Sequence, residues 1–414
     1  MYDWANSAFS TIVISALFGP YISSLLNKTS KLKIFGHLIE PNAVFPFLIS
    51  ISVLLQVAFL PLIGSLADKT GKKKELLLFF TFLGAIFTFG LSLFDILCFL
   101  FKKDSSIFLI CTFFVLSNVC FGAACAIYNS FLPYIAEPSK RDMVSAFGWA
   151  IGYLGGGISL GICLIMFYLQ SKHFAISFSF AFAAIWWLFF TLLFPARFLK
   201  NPNNLSQKSP LIKLFKDGIR EVYSTILRLK KDNIQGFRFL LAFFCYNDGV
   251  QTIIVVSSLF AVSELGATSK DILFLLLFIQ FIAFLGALFF GWLSERIGTK
   301  QSIILSLLIW IAIVIGAYLF LKDIIGLFIL GFFVAIVLGG TQALSRSIFS
   351  FVIPNEKESE FYSFYEIGEK GSSWLGPLIF ALFVQVTGNT RDAILSVILF
   401  FILGLIFLLK MDIE

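Results

Sequence analysis

Runs of about 20 apolar residues recur along the whole chain, the length an α-helix needs to cross the hydrocarbon core of a bilayer. Of the 414 residues, 59% are hydrophobic and 13% are charged, whereas a soluble globular chain carries about 25% charged residues. The apolar runs are continuous and do not alternate, which excludes a β-barrel. The expectation is an all-α integral membrane protein. Twelve spans are placed at residues 3–26, 43–67, 75–100, 106–130, 143–169, 173–195, 237–262, 270–294, 301–321, 324–346, 360–386 and 392–410. The longest polar interruption, about 197–236, divides them six plus six. This predicts an N-terminal six-helix bundle over 1–196, a basic cytoplasmic linker over 197–236 and a C-terminal six-helix bundle over 237–414. In the linker, Leu211, Leu214, Phe215, Ile219, Val222, Ile226 and Leu229 recur at helical spacing among Lys and Arg. That pattern predicts an amphipathic helix on the inner membrane surface, or one that binds a partner.

Basic residues orient the spans, because cytoplasmic loops are richer in Lys and Arg. With the N-terminus inside, the inner segments carry 21 of the 31 Lys and Arg and the outer loops 9, with Lys370 inside a span. Both termini are therefore expected in the cytoplasm. The net charge of +7 follows from this loop bias and gives no reason to invoke nucleic acid.

Other function classes fall away. His37 and His173 lie in loops or at span ends, so no cluster is expected to hold a metal. Six cysteines (Cys98, Cys111, Cys120, Cys125, Cys163 and Cys245) lie in apolar runs without a C-x-x-C pair and read as small buried residues. The pattern G-x-S-x-G occurs at Gly157–Gly161 but lies inside an apolar span and not at a strand-to-helix elbow, and no phosphate loop is read, so no enzyme activity and no cofactor are expected. The first span opens on Asp3 and Asn6 and does not read as a cleavable signal peptide.

The halves repeat. After the second span the chain reads GSLADKTGKKK, and after the eighth GWLSERIGTK. Gly64 matches Gly291, Asp68 matches Glu295, Lys69 matches Arg296 and Gly71 matches Gly298, with Lys72 and Lys73 following the first turn. In each turn the first glycine admits close helix packing, the acid pairs with a base or caps a neighbouring helix, and the second glycine makes the turn. NSAFSTIVIS from Asn6 aligns with NDGVQTIIVV from Asn247, setting Thr11 against Thr252. PYIAEPSKRDMVSAFGW echoes SFVIPNEKESEFYSFYE, with Pro138 against Pro354.

These turns resemble the signature loop of the major facilitator superfamily. The stretches YDWANSAF (Tyr2–Phe9) and YNDGVQTI (Tyr246–Ile253) resemble those of a narrower group, the unknown major facilitator family, which includes autophagy-related vacuolar amino-acid effluxers of fungi. The resemblance implies two pseudo-symmetric bundles of the major facilitator fold, transport as the activity, and a site between the halves near the midplane. Family members carry a short stretch before the Tyr-Asp-Trp motif, whereas this chain begins at it. Asp3 is thus expected either in the membrane or in the headgroup zone.

Asp248 is the leading site candidate. It lies ten residues beyond Arg238, about 15 Å along a helix. A carboxylate at that depth costs roughly 2.5–3.5 kcal/mol on insertion scales. Such a group is expected to take a proton or cation, to meet a cationic substrate, or to tie helices together. Tyr246, Asn247 and Gln251 are nearby donors and acceptors. In the eleventh span Glu366, Glu369 and Lys370 share a face with Tyr362 and Ser373. They read as a charged cavity wall or as the wet inner end of the helix, before a kink at Gly376-Pro377. Asn129 and Trp149 are further cavity candidates, and Asp95 sits near the outer interface. Gly148, Gly152 and Gly156 read as close helix packing.

The resulting expectation is a monomeric secondary active transporter in a bacterial cytoplasmic (inner) membrane. It moves a small solute by alternating access with proton coupling, among membrane lipid and without nucleic acid. A lipid flippase on the same fold and a non-transporting sensor or scaffold are the alternatives.

Overall fold

The computed structural model describes residues 1–29, 33–34, 37–38, 41–101, 105–201, 233–267, 269–354, 357–371, 375–387 and 389–412. The amphipathic helix expected in the linker and Ser373 lie outside these residues, as do the side chains of Asp95 and Lys370.

The described chain is almost entirely helical, with one two-stranded hairpin pairing Lys33–Ile34 with His37–Leu38. Helix α1 is three joined segments, Tyr2–Ala8, Phe9–Leu17 and Phe18–Thr29. There follow α2 (Pro41–Thr70), α3 (Lys73–Phe101), α4 (Ser105–Asn129), α5 (Arg141–Leu169) and α6 (Lys172–Leu193). The second series is α7 (Ile234–Leu265), α8 (Ser269–Ile297), α9 (Thr299–Phe320) and α10 (Ile324–Val352). It continues with α11 in two segments, Glu358–Gly371 and Leu375–Thr387, and α12 in three, Thr390–Ile394, Leu395–Val397 and Ile398–Leu409. Eleven of these spans are long and apolar enough to cross a membrane, and the segmented α11 completes twelve. Pro377 removes one amide donor near the start of the second α11 segment, as proline does wherever it enters a helix.

One helix end and one internal segment differ from expectation. The α10 helix runs to Val352 rather than stopping at Arg346, so Arg346 belongs to the helix and not to a loop. The middle segment of α1, Phe9–Leu17, is a π-helix, where Ser15 Oγ donates to the Ser10 carbonyl 3.0 Å away. No proline or glycine inside that stretch marks it in the sequence.

The chain divides into two compact units. The first comprises Met1–Leu60, Thr70–Tyr128 and Ile151–Ser206; the second comprises Pro61–Lys69, Asn129–Ala150 and Gln207–Glu414. Within the first, α3 and α1 each lie along α6. Tyr2 joins them, its hydroxyl 3.1 Å from Thr81 Oγ1 and accepting from Trp187 Nε1 at 3.2 Å. Within the second, α8 and α9 lie along α10, and α7 lies along α12. There Trp310 Nε1 donates to Thr341 Oγ1 (3.1 Å), which donates on to Ser306 Oγ (3.1 Å). These hydroxyl chains satisfy buried polar groups in an otherwise apolar interior. The outward faces are greasy: α8 exposes Phe274, Phe281, Leu285 and Phe289 while burying Ala283, Ala287 and Phe290. Such a face would be an association patch in water and is at home against lipid tails.

Candidate functional site

The Asn247–Asp248 pair sits in the middle of α7, fully enclosed: Asn247 is 3% exposed and Asp248 1%. Asn247 Nδ2 donates to the carbonyls of Gly368 (3.3 Å) and Glu369 (2.9 Å), in the last turn of the first α11 segment. Its amide thus meets orphan carbonyls at a helix end, as a capping group does. Asp248 lies on the other side of that junction. Gly376, the second residue of the second α11 segment, packs against Thr252 and the Asp248 backbone so closely that only a glycine fits. Thr252 Oγ1 donates to the Asp248 carbonyl at 2.6 Å. Among the described residues, neither carboxylate oxygen of Asp248 makes a hydrogen bond of ordinary geometry, although both are buried. Buried polar atoms without a partner are rare and ask for an explanation.

Tyr246 turns the other way. Its hydroxyl lies 2.6 Å from Ser345 Oγ in α10, and Gly404 of α12 packs on its ring. Gln251 is half-buried and does not reach the Asp248 carboxylate. In the first α11 segment Glu358, Glu360 and Glu366 are 3%, 1% and 2% exposed, and Tyr362 is fully buried. The burial of Glu366 and Tyr362 argues against reading that part of the stretch as a wet helix end. Tyr365 stacks on Phe243 with ring centroids 4.3 Å apart, fixing the segment against α7. Glu369 is half-buried.

In the first unit, Asp3 is 9% exposed and accepts a 2.8 Å hydrogen bond from Tyr128 Oη. That places its side chain in the protein interior. Gly152 lies on Asp3, and Gly155 lies on Trp4 and Ser7, which gives the α5 glycines their packing role. Asn6 donates to Cys125 Sγ at 3.5 Å. Asn6 and Asn247 match in sequence but do different work.

The two matched turns also part company. Both glycines have positive φ, Gly71 at 64° and Gly298 at 88°, a region that favours glycine. Asp68 caps the first α11 segment: Oδ1 accepts from the Ser359 amide (3.1 Å) and Oδ2 from the Glu360 amide (2.9 Å). Ser359 Oγ donates to Ser130 Oγ at 2.8 Å. Two amides onto one carboxylate at a helix N-terminus is a charge-assisted cap. Glu295, matched to Asp68 by spacing, is exposed and caps no helix among the described residues. Arg296 instead lies over the Trp292 ring, 4.1 Å from its centroid. Lys72 is exposed, but Lys73 is 2% exposed and is not the solvated anchor its place in the turn suggested.

Arg346 is the residue the sequence reading passed over. It is 4% exposed in α10; Nε donates to Ser145 Oγ (3.0 Å), Nη2 to the Ser145 carbonyl (2.8 Å) and Nη1 to Asn129 Oδ1 (3.3 Å). Its guanidinium carbon lies 5.5 Å from the Trp149 ring centroid. Asn129 and Trp149, expected as cavity residues, are thus brought together by an arginine. The hint was present in TQALSRSIF, a single Arg among small residues in an apolar run. No group of His, Cys, Asp and Glu fit to hold a metal occurs among the described residues.

The chain is similar to known proteins. A family model described as "Vacuole effluxer Atg22 like" matches residues 1–141 and 136–414. The "Uncharacterized MFS-type transporter YxiO" of Bacillus subtilis is 31% identical over 99% of this chain and 92% of its own. Autophagy-related protein 22 of Kluyveromyces lactis is 26% identical over 91% of this chain and 81% of its own. The solved proton:xylose symporter XylE, of the major facilitator superfamily, superposes with TM-score 0.75 at 12% identity, covering 99% of this chain and 94% of that one. With twelve spans, the paired turns and near-complete coverage agreeing, the chain belongs to the Atg22-like vacuole effluxer family, among the multi-pass transporters of the major facilitator superfamily.

Proposed function

We propose that this protein is a secondary active transporter that moves a small solute, amino acids foremost, by alternating access coupled to protons. The observation that carries the coupling is Asp248. A carboxylate at the middle of a span, 1% exposed and with no hydrogen bond of ordinary geometry to either oxygen among the described residues, is costly to keep there for structure alone. A group that binds and releases a proton accounts for it. The half-buried Glu369 and the buried Glu366 of α11 are the next carboxylates to test. The relatives' name as vacuole effluxers supports export of a small solute, and the family resemblance favours amino acids.

The same reading takes 1–196 and 237–414 as the two rocking halves and 197–236 as a cytoplasmic linker. It places a monomer in a bacterial inner membrane with both termini in the cytoplasm. The test is uptake of an amino-acid panel into proteoliposomes with and without an imposed pH gradient. Accumulation of one amino acid only with the gradient supports the reading. A folded protein that moves no amino acid contradicts the cargo and turns the search to lipid.

A further inference from the structure

The first turns of α5 and α11 match in sequence, and both are gripped inside the second compact unit, which takes in Pro61–Lys69 and Asn129–Ala150. The grips have opposite charge. The start of α11 is held by a carboxylate, Asp68, on two backbone amides. The start of α5 presents Asp142, Ser145, Ala146 and Trp149 at i, i+3, i+4 and i+7, which is one helix face. That face is held by a guanidinium. Arg346 takes both the hydroxyl and the carbonyl of Ser145 and stands over Trp149, while Ser145 Oγ donates to the Ala343 carbonyl at 2.6 Å. Beside it Thr299 Oγ1 donates to Asp142 Oδ2, and Ala146 Cβ fills the space over Gly291. The far side of Arg346 is tied as well, since Tyr362 Oη donates to its carbonyl at 3.0 Å.

We infer that Arg346 is the positioning residue that closes the protein around the start of α5, in the role that spacing alone assigns to Glu295. A guanidinium suits the task. Its planar fork engages a hydroxyl, a carbonyl and an amide oxygen at once, and its stacking on Trp149 adds an attraction that lysine reproduces poorly. The grip joins residues about 200 positions apart, so it is broken and remade whenever these helices separate. The inference rests on transport by alternating access, but its test needs no cargo, so the two can fail separately.

The experiment places a single cysteine at Ser350, isosteric, 3% exposed and four residues beyond Arg346 on the same helix face. The other cysteines are replaced, and the detergent-purified protein is reacted with a polar maleimide. Arg346→Gln is expected to raise the labelling rate about tenfold or more, Arg346→Lys by less, because the closed state loses three charge-assisted hydrogen bonds. Glu295→Gln is expected to leave the rate within about twofold, as an exposed charge without an ion pair among the described residues should. Arg346→Gln labelled at the starting rate while eluting as a folded monodisperse protein overturns the inference. So does Glu295→Gln opening the site as far as Arg346→Gln. If Arg346→Gln does not fold, Ser145→Ala and Asn129→Ala decide: each removes an acceptor and leaves the arginine, and no rise in either overturns the proposal.

Discussion

A single methyl group tests whether the junction of α2 with α11 is as tight as the geometry says. At Gly64 an added Cβ would meet the Ser359 carbonyl group, with the carbonyl carbon 2.7 Å away and the oxygen and Ser363 Oγ nearer still. Backbone lies on both sides, so no side-chain rotation relieves the clash, and α2 and α11 must separate in Gly64→Ala. Overpacking of this kind costs about 1–3 kcal/mol. The Ser359 and Glu360 amides are the reporters, because both are bonded to Asp68 four residues further along α2. If that cost falls on the junction, their protection against hydrogen exchange drops by about 5- to 150-fold. The assay is hydrogen–deuterium exchange on peptides covering 357–364, with Gly161→Ala as the control, since nothing lies within 4 Å of a Cβ there. Unchanged exchange in folded Gly64→Ala would refute the reasoning. It would show that the helices are not in register at this point.

Three further outcomes follow from the same geometry. Asp68→Asn keeps an oxygen for one amide and loses the charge, so the same peptides should exchange about 2- to 30-fold faster, matching a cap worth about 0.5–2 kcal/mol; an unchanged rate would count against the cap. Tyr246→Phe should lower thermal stability by only about 0.5–1.5 kcal/mol, because Ser345 Oγ still donates to the Thr341 carbonyl at 2.5 Å; a collapse of the fold would mean that the hydroxyl does more than this bond. Gly298→Ala forces an L-residue to φ 88°, and should cost about 1–2 kcal/mol in a thermal melt, against no loss for Gly161→Ala.

The fold was legible because bilayer thickness and helix rise fix span length, so apolar runs alone placed twelve spans, eleven of which are long and apolar enough to cross a membrane. Close pairing between distant residues was not legible. Glu295 matched Asp68 at every spacing, yet spacing along a chain does not say whether a carboxylate finds a helix N-terminus nearly 300 residues away. Arg346 was counted as a loop charge because a cation ends an apolar run. In space its charge is met by Ser145 and Asn129, about 200 residues off in sequence. Asp248 stood out because a lone carboxylate amid oil is costly wherever it points. The function of its neighbour Asn247 depended on two α11 carbonyls that no local pattern announces. The π-helical segment of α1 carries ordinary helix-compatible residues and no breaker that would announce it.

The central claim is that Asp248 carries the coupling proton. The most direct test compares wild type with Asp248→Asn in proteoliposomes, using the amino acid that the panel identifies, in two modes. One is accumulation driven by a pH gradient. The other is counterflow, the exchange of labelled for unlabelled cargo without a gradient. The account predicts that Asp248→Asn keeps counterflow and loses accumulation, because cargo still binds and crosses but no proton travels with it. Accumulation by Asp248→Asn equal to wild type would contradict it and leave Asp248 a structural residue beside Gly376.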